Sequence, residues 1–521
     1  MRLRNCAPVT WAVLFSLWSS VGRGAEPVRP ANRSELTARL HQALQGSAAP
    51  GAQWGVKAVS LQTGRTLFET NAGRLFVPAS NTKLFTGALA LDRLGTNRVL
   101  TTGLFIPAGS QGPELKGDLL VVGGGDPTLT DRMNGGRWEP ALAPFVAAVT
   151  NAGIRQIGGD LVCDHSLFRG APYGSGWSWD DLGFYYGAAV SALSVNDNVL
   201  HLRVIPGKTV GSPATLRLEP LPAFLELTGN VRTGPTNATV SLRVERLPGE
   251  THVRVSGVIP LGGGAQTEDV TVPAPATYFG ELLRLALKEA GVTVGGKVRE
   301  VGWRDRAERP FNANEWKPLA TVPSPPMTEV VAAMMKPSQN FYAHSLWLLA
   351  GVQAERLPVG KEVGLPRPET TEDSGLRALR TFLGTAGTAG IGAQEVVFEE
   401  GSGLSRKNLV TPAALVQLLV HMNRHPAQAA WLEALPVGGV EGTLKRRFAS
   451  AEMKGRVHAK TGTLRHVSAL SGYVDTRGGE TVAFSVVVNG YVPAKAGATP
   501  TAETDRLVEL LAGFTGRSDA E

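Results

Sequence analysis

The chain has 521 residues, 43% of them hydrophobic and 19% charged, with a formal net charge of +7. At roughly 150 residues per domain this makes about three domains, with ample material for a buried core. Beyond the N-terminus no run reaches the ~18 apolar residues of a membrane span, and no Lys/Arg run is interleaved with aromatics, which argues against a nucleic-acid partner.

Arg2 and Arg4 precede an apolar stretch over residues 7–21 and the small residues Gly22-Arg23-Gly24-Ala25. This is the pattern of a secretory signal over residues 1–25, with an uncleaved anchor as the alternative, and it predicts export to the periplasm or cell envelope. Cys6 lies ahead of the apolar run, so no lipobox is present. Cleavage would leave only Cys163, within Gly159-Asp160-Leu161-Val162-Cys163-Asp164, as a buried strand residue, and the fold would stand on core packing without disulfides. The basic balance reads mainly as scattered solvated charge, although it would favour peripheral association with an anionic membrane or cell-wall surface.

Past the Pro-rich residues 26–30, residues 35–44 have the spacing of an amphipathic helix. Residues 54–61 and 65–69 alternate around Gln62-Thr63-Gly64, a hairpin signal. Next comes Pro78-Ala79-Ser80-Asn81-Thr82-Lys83, followed by an apolar run with helical spacing that ends at Gly95, a residue suited to a C-terminal cap. Residues 98–270 shift to short β-like runs broken by Gly, Pro and Asn, with little helix. Within them Gly123-Gly124-Gly125-Asp126-Pro127 lacks a Walker lysine and the dinucleotide spacing, so it reads as a structural turn in which Asp126 bonds local backbone.

Helical patterns return at residues 278–290, 328–335, 341–351, 376–383, 412–424 and 442–448. Residues 456–460, 466–474 and 481–489 are strand-like, and residues 502–514 close with a helix. No fixed-period repeat is visible. The simplest account is an α+β domain made of residues 26–97 and 271–516, interrupted by a β-rich insertion over residues 98–270 that forms two subdomains.

Ser80 and Lys83 carry the first chemical signal. On a helix positions i and i+3 share a face, so the Lys83 amine can reach the Ser80 oxygen. A serine hydroxyl is a weak nucleophile until a neighbour takes its proton, and an amine does so only when its pKa falls. The helix dipole, burial and a second cation are the available causes. Alone, the pair would be a helix cap followed by a solvated lysine.

Lys460-Thr461-Gly462-Thr463 ends a strand. It offers a cation, a hydroxyl and a glycine that lets a substrate backbone come close, at an edge able to take an extended peptide. Ser-x-Asn occurs twice, at Ser194-Val195-Asn196 and at Ser338-Gln339-Asn340. Only the second lies between two helical patterns, where a short loop would hold its hydroxyl and amide toward a cleft; the first runs into Asn196-Asp197-Asn198, which reads as a turn. His344, His458 and His466 flank these motifs without zinc-type spacing, so no metal and no other cofactor is expected. Arg465 and His466 are candidates for a carboxylate pocket, weighed against ordinary strand-end solvation.

The order of these three motifs resembles that of the serine penicillin-recognising enzymes. The chain is similar in particular to the D-alanyl-D-alanine carboxypeptidase/endopeptidase family of low-molecular-mass penicillin-binding proteins, peptidase family S13. The resemblance also rests on Gly117-Asp118-Leu119 through Pro127, Ser191-Ala192-Leu193-Ser194-Val195-Asn196, Gly401-Ser402-Gly403-Leu404-Ser405-Arg406 and Leu435-Pro436-Val437-Gly438-Gly439-Val440-Glu441-Gly442-Thr443-Leu444. Gln339 and Glu400 depart from the aspartates usual at those places.

The resemblance implies a penicillin-binding-protein/serine β-lactamase-like transpeptidase domain, with a central antiparallel sheet flanked by helices, and a serine DD-peptidase acting on peptidoglycan stem peptides. It implies Ser80 as nucleophile, Lys83 as base, Ser338 as proton relay, Asn340 and Lys460 as further catalytic groups, and Thr461, Gly462 and Thr463 as substrate-binding. It implies an oxyanion hole of the Ser80 and Thr463 backbone N–H groups, cleavage of D-Ala-to-diamino-acid cross-links as a second activity, and β-lactams as covalent inhibitors. The alternatives are a β-lactamase or peptide esterase of the same fold, separated by how fast water releases the acyl group, and a non-catalytic cell-wall binding protein, separated by release of D-alanine.

Overall fold

The computed structural model describes residues 29–520, except 48, 50, 222–223, 356–368, 385–389 and 493–499. The expected signal segment lies outside the described residues. Among them, no helix is long and apolar enough to cross a membrane.

The hairpin expected from the Gln62-Thr63-Gly64 turn forms, with Gln53–Ser60 antiparallel to Thr66–Thr70. Its partners come from the other end of the chain. The sheet runs in the order Val457–Leu464, Val467–Asp475, Thr481–Asn489, Gln53–Ser60, Thr66–Thr70, antiparallel throughout. A strand alternates its side chains between two faces, and here both faces are covered. Val486 and Val488 enter one core with Leu40 and Leu507 from the helices Arg33–Gln45 and Thr501–Ala512. Ala483 and Val487 enter the other with Leu415, Trp347 and Phe85. That second core contains the helix Thr82–Arg93, in which every residue from Thr82 to Leu91 is buried. It ends as expected, with Leu94 as cap followed by Gly95 at φ +87.

A second five-stranded sheet has the order Val298–Val301, Leu161–Asp164, Leu119–Val122, Thr101–Pro107, Trp316–Pro323. Leu161–Asp164 is parallel to both of its neighbours, and Cys163 within it is fully buried. Burial pushes the Cys163 thiol pKa far up, which leaves it inert. The pairing of Val298–Val301 and Trp316–Pro323 into this sheet carries the inserted region to about residue 323, beyond the boundary at 270 expected from composition. The helix Pro275–Glu289 belongs with it, burying Tyr278, Phe279, Leu282 and Leu283 against Leu119, Val121 and Leu161.

Residues 98–270 hold little helix, as expected: among the described residues the α-helix there is Glu139–Asn151, whose apolar pattern is interrupted by Pro140 and by Pro144 on its exposed side. One further expectation is corrected. Residues 442–448 form only the 3₁₀ turn Gly442–Leu444, because Gly442 and Phe448 hold left-handed φ values of +62 and +54 that an α-helix does not admit.

Candidate active site

Ser80 lies in the 3₁₀ turn Ala79–Asn81 that leads into Thr82–Arg93. No side chain caps the helix there, so the Ser80 hydroxyl is not consumed as a cap. The turn is held from two sides. Asn81 Nδ2 donates to Ser471 Oγ of the sheet at 2.7 Å. On the other side Gly403 approaches so closely that a Cβ there would sit 2.0 Å from the Ala79 carbonyl oxygen, and its φ of +83 likewise favours glycine. Ala79 itself is left-handed at φ +48, a strained conformation immediately before the half-buried Ser80.

One helical turn on, Lys83 is completely buried. Its Nζ donates to Ser80 Oγ at 3.0 Å, to Asn340 Oδ1 at 2.6 Å and to the Ser402 carbonyl at 2.6 Å. Burial lowers its pKa to about 7, partly opposed by the charge of Glu400. An amine so placed is neutral over much of the physiological range, as a base must be.

The second wall is the loop between Met327–Met335 and Asn340–Glu355. Ser338 sits there at φ +65 and its Oγ accepts from Lys460 Nζ at 2.7 Å. Lys460 is completely buried and also donates to the Thr461 carbonyl at 2.8 Å. Burial first and the Lys83 charge second hold it well below its ordinary pKa. The strand Val457–Leu464 is the outer strand of the main sheet, and it runs on through the entire Lys460-Thr461-Gly462-Thr463 motif. Gly462 lies against the nucleophile turn, where a Cβ would stand 2.7 Å from Pro78 O and 3.1 Å from Ser80 N. Thr461 Oγ1 is bonded to Thr443 Oγ1 at 2.8 Å, and Thr463 is exposed.

Ser80, Lys83, Ser338, Asn340, Lys460 and Gly462 thus gather around the Ser80 turn. The other Ser-x-Asn does not join them as a motif. Ser194 Oγ donates to the Ser191 carbonyl, and the sequence after it is the expected turn. Asp126 accepts from Thr128 N at 2.8 Å, as the turn reading requires, and burial raises its pKa. His466 occupies the left-handed turn between two strands with Nδ1 on the Tyr491 carbonyl, while Arg465 is exposed.

Two contributors carry no motif. Glu400 is fully buried and accepts from Ser402 N and Gly403 N at 2.7 Å and from Asn408 Nδ2 at 3.0 Å, which fixes the loop whose carbonyl holds Lys83. The Glu399-Glu400 pair ahead of a Gly/Ser turn is the visible signal for that role. Tyr186, from the inserted region, accepts from Asn340 Nδ2 through its backbone carbonyl at 2.9 Å, a role invisible to residue type.

A family model described as the D-Ala-D-Ala carboxypeptidase 3 (S13) family matches residues 36–512. A D-alanyl-D-alanine carboxypeptidase of Actinomadura sp. (strain R39) is 33% identical over 507 residues, covering 94% of this chain and 87% of the relative. The D-alanyl-D-alanine carboxypeptidase DacB of Haemophilus influenzae is 26% identical over 464 residues, covering 88% of each. The crystal structure of penicillin binding protein 4 (dacB) from Haemophilus influenzae matches with a TM-score of 0.74 at 25% identity, covering 90% of this chain and 97% of that one. The expected α+β penicillin-binding fold is therefore shown.

Proposed function

The chain belongs to the D-Ala-D-Ala carboxypeptidase 3 (S13) family and is a serine-type carboxypeptidase of that class; from that premise we propose that Ser80 is its nucleophile and Lys83 its base. Ser338, Asn340 and Lys460 are the remaining catalytic groups. The observation that carries this reading is the fully buried Lys83 amine, 3.0 Å from Ser80 Oγ and lowered to a pKa of about 7.

Ser80 Oγ attacks the carbonyl carbon of the D-Ala-D-Ala bond as its proton passes to Lys83 Nζ. The oxyanion is met by the Ser80 and Thr463 backbone N–H groups, each worth about 3 kcal/mol in a preorganised site. Collapse expels the amine of the terminal D-alanine, which receives its proton through Ser338, and leaves an ester on Ser80. Water then adds to the ester carbonyl as its proton passes back through Ser338 to Lys83; the bond from that carbon to Oγ breaks, Oγ takes the proton from Lys83, and the shortened peptide leaves with a free carboxyl group. Asn340 holds the peptide side, and Thr461 and Thr463 meet the terminal carboxylate beside the Lys460 amine. The acyl donor lies along the outer edge of Val457–Leu464, beyond the bridge of Val437 with His458, as an added strand.

The substrate is a peptidoglycan stem peptide, and the enzyme works after export, in the cell envelope. A D-Ala-to-diamino-acid cross-link offers the same carbonyl with a different leaving amine, so the same groups cleave it. A β-lactam ring amide presents the same reacting carbon and acylates Ser80. A fluorescent penicillin should label the intact protein and not Ser80→Ala, and the intact protein should release D-alanine from a D-Ala-D-Ala peptide. Label on Ser80→Ala would move the nucleophile elsewhere, and absence of D-alanine release would remove the carboxypeptidase assignment.

A further inference from the structure

The Ser338-Gln339-Asn340 wall is gripped by the inserted region as well as by its own helices. Gln339 is buried, and its Nε2 faces Asp197 Oδ2 at 3.5 Å. Asp197 is ion-paired with Arg132, whose guanidinium lies 5.7 Å from the Tyr342 ring, on the helix that begins at Asn340. Arg132 therefore ties the Asp197 turn to the first turn of that helix.

The turn that presents Asp197 is built for a fixed position. Asn196, Asp197 and Asn198 are all left-handed, at φ +51, +52 and +57. Such a run persists only where its surroundings over-determine it. Here Asn196 N donates to the Leu129 carbonyl at 2.7 Å, and Asn198 Nδ2 donates to the Ala189 carbonyl at 2.8 Å and to Ser194 Oγ at 3.0 Å. Facing it, Ser338 is itself left-handed, and its neighbour Asn340 donates to the Tyr186 carbonyl, which aims the opposite end of that amide at Lys83. Two contacts from the inserted region thus bracket the motif, one on Gln339 and one on Asn340.

We propose that Asp197 is a positioning residue for acylation: through Gln339 it fixes the Ser338 backbone, so that the Ser338 hydroxyl meets Lys460 and the Asn340 amide meets Lys83. The inference rests on the roles given above to Ser338 and Asn340. On this account the Ser194–Asn198 segment supports the second wall from outside. A carboxylate at position 339 would face Asp197 and drive the two apart.

The test is a charge exchange read with a fluorescent penicillin on the full chain. Gln339→Glu should slow the first-order acylation step at saturating penicillin by about tenfold, since small displacements of a reacting group cost rate steeply. Gln339→Glu combined with Asp197→Asn should return to within about threefold of the parent, because the new amide can donate to the new carboxylate. Melting midpoints should stay within a few degrees. The inference is overturned if Gln339→Glu reacts at the parent rate, if the second substitution restores nothing, or if rate falls only together with the melting midpoint. Should Gln339→Glu fail to fold, Asp197→Ala takes its place: it should slow acylation in the parent and not in Gln339→Ala, and equal losses in both would overturn the proposal. Failure of the underlying site reading is separable, because it would appear as a parent that is not labelled, or as label on Ser80→Ala.

Discussion

Lys460 is held below its ordinary pKa by burial and then by the charge of Lys83, so the two fully buried amines of the site cannot both keep a proton cheaply. Lys83 is lowered to about 7 by its own burial. Above that pH its amine is free to accept the Ser80 proton. The rate of acylation by a fluorescent penicillin should therefore rise with pH through about 7. Lys83→Arg keeps the charge but cannot deprotonate, and should lose roughly 10²–10⁴-fold at every pH; a parent-like pH profile in that variant would take the base role from Lys83.

Glu400 is the carboxylate that opposes the lowering of Lys83. Glu400→Gln removes that charge and leaves burial unopposed, so the midpoint of the acylation profile should move to lower pH. The amide also sets an NH₂ among the N–H donors of Ser402, Gly403 and Asn408, at a cost of about 3 kcal/mol in stability. The pH profile and a urea titration read the two effects separately.

Gly462→Ala would place a methyl 2.7 Å from Pro78 O and 3.1 Å from Ser80 N, both backbone atoms that cannot swing aside. The strand Val457–Leu464 should be pushed off the nucleophile turn. Overpacking of this kind costs about 1–3 kcal/mol, and acylation should fall by about tenfold or more because the misplacement is at the reacting centre. Labelling rate and melting midpoint on one preparation decide it.

His201 lies in the inserted region between Asp131 and Asp269, at 3.1 and 2.8 Å, and these partners raise its pKa to about 9. A raised folded value means stabilisation fully present below the unfolded value of about 6.5 and lost as pH rises through about 9. The melting midpoint of the parent should exceed that of His201→Gln by most near pH 6 and the gap should close by pH 10. A constant gap would mean that the contact does not depend on the imidazolium charge.

Ser80 and Lys83 are legible in the sequence because a spacing of three on a helix converts directly into contact. Lys460 and Ser338 are legible as motifs, but their contact depends on the main sheet closing around the Ser80 turn. Glu400, Tyr186 and Asp197 escape such a reading for different reasons: Tyr186 acts through a backbone carbonyl, and the two carboxylates act through loops whose shape no periodicity encodes. The end of the insertion is displaced by the helix Pro275–Glu289, whose apolar spacing looks like a return to the main domain; its burial against Leu119 and Leu161, and the pairing of Val298–Val301 and Trp316–Pro323 into the inserted sheet, reveal its allegiance.

The main sheet joins strands from opposite ends of the polypeptide, and Val77 meets Asn489 across 412 residues. At about 5–20 residues per second of synthesis, the first hairpin waits roughly 20–80 s for its partner. The inserted sheet, complete once Pro323 has been made, has no such wait. Assembly order is thereby written into the topology: the body that braces the second wall can be ready before the nucleophile turn has a sheet to rest on. Limited proteolysis of nascent chains halted beyond residue 323 should find the inserted region protected and the Gln53–Ser60 strand open, and early protection of that strand would contradict this order.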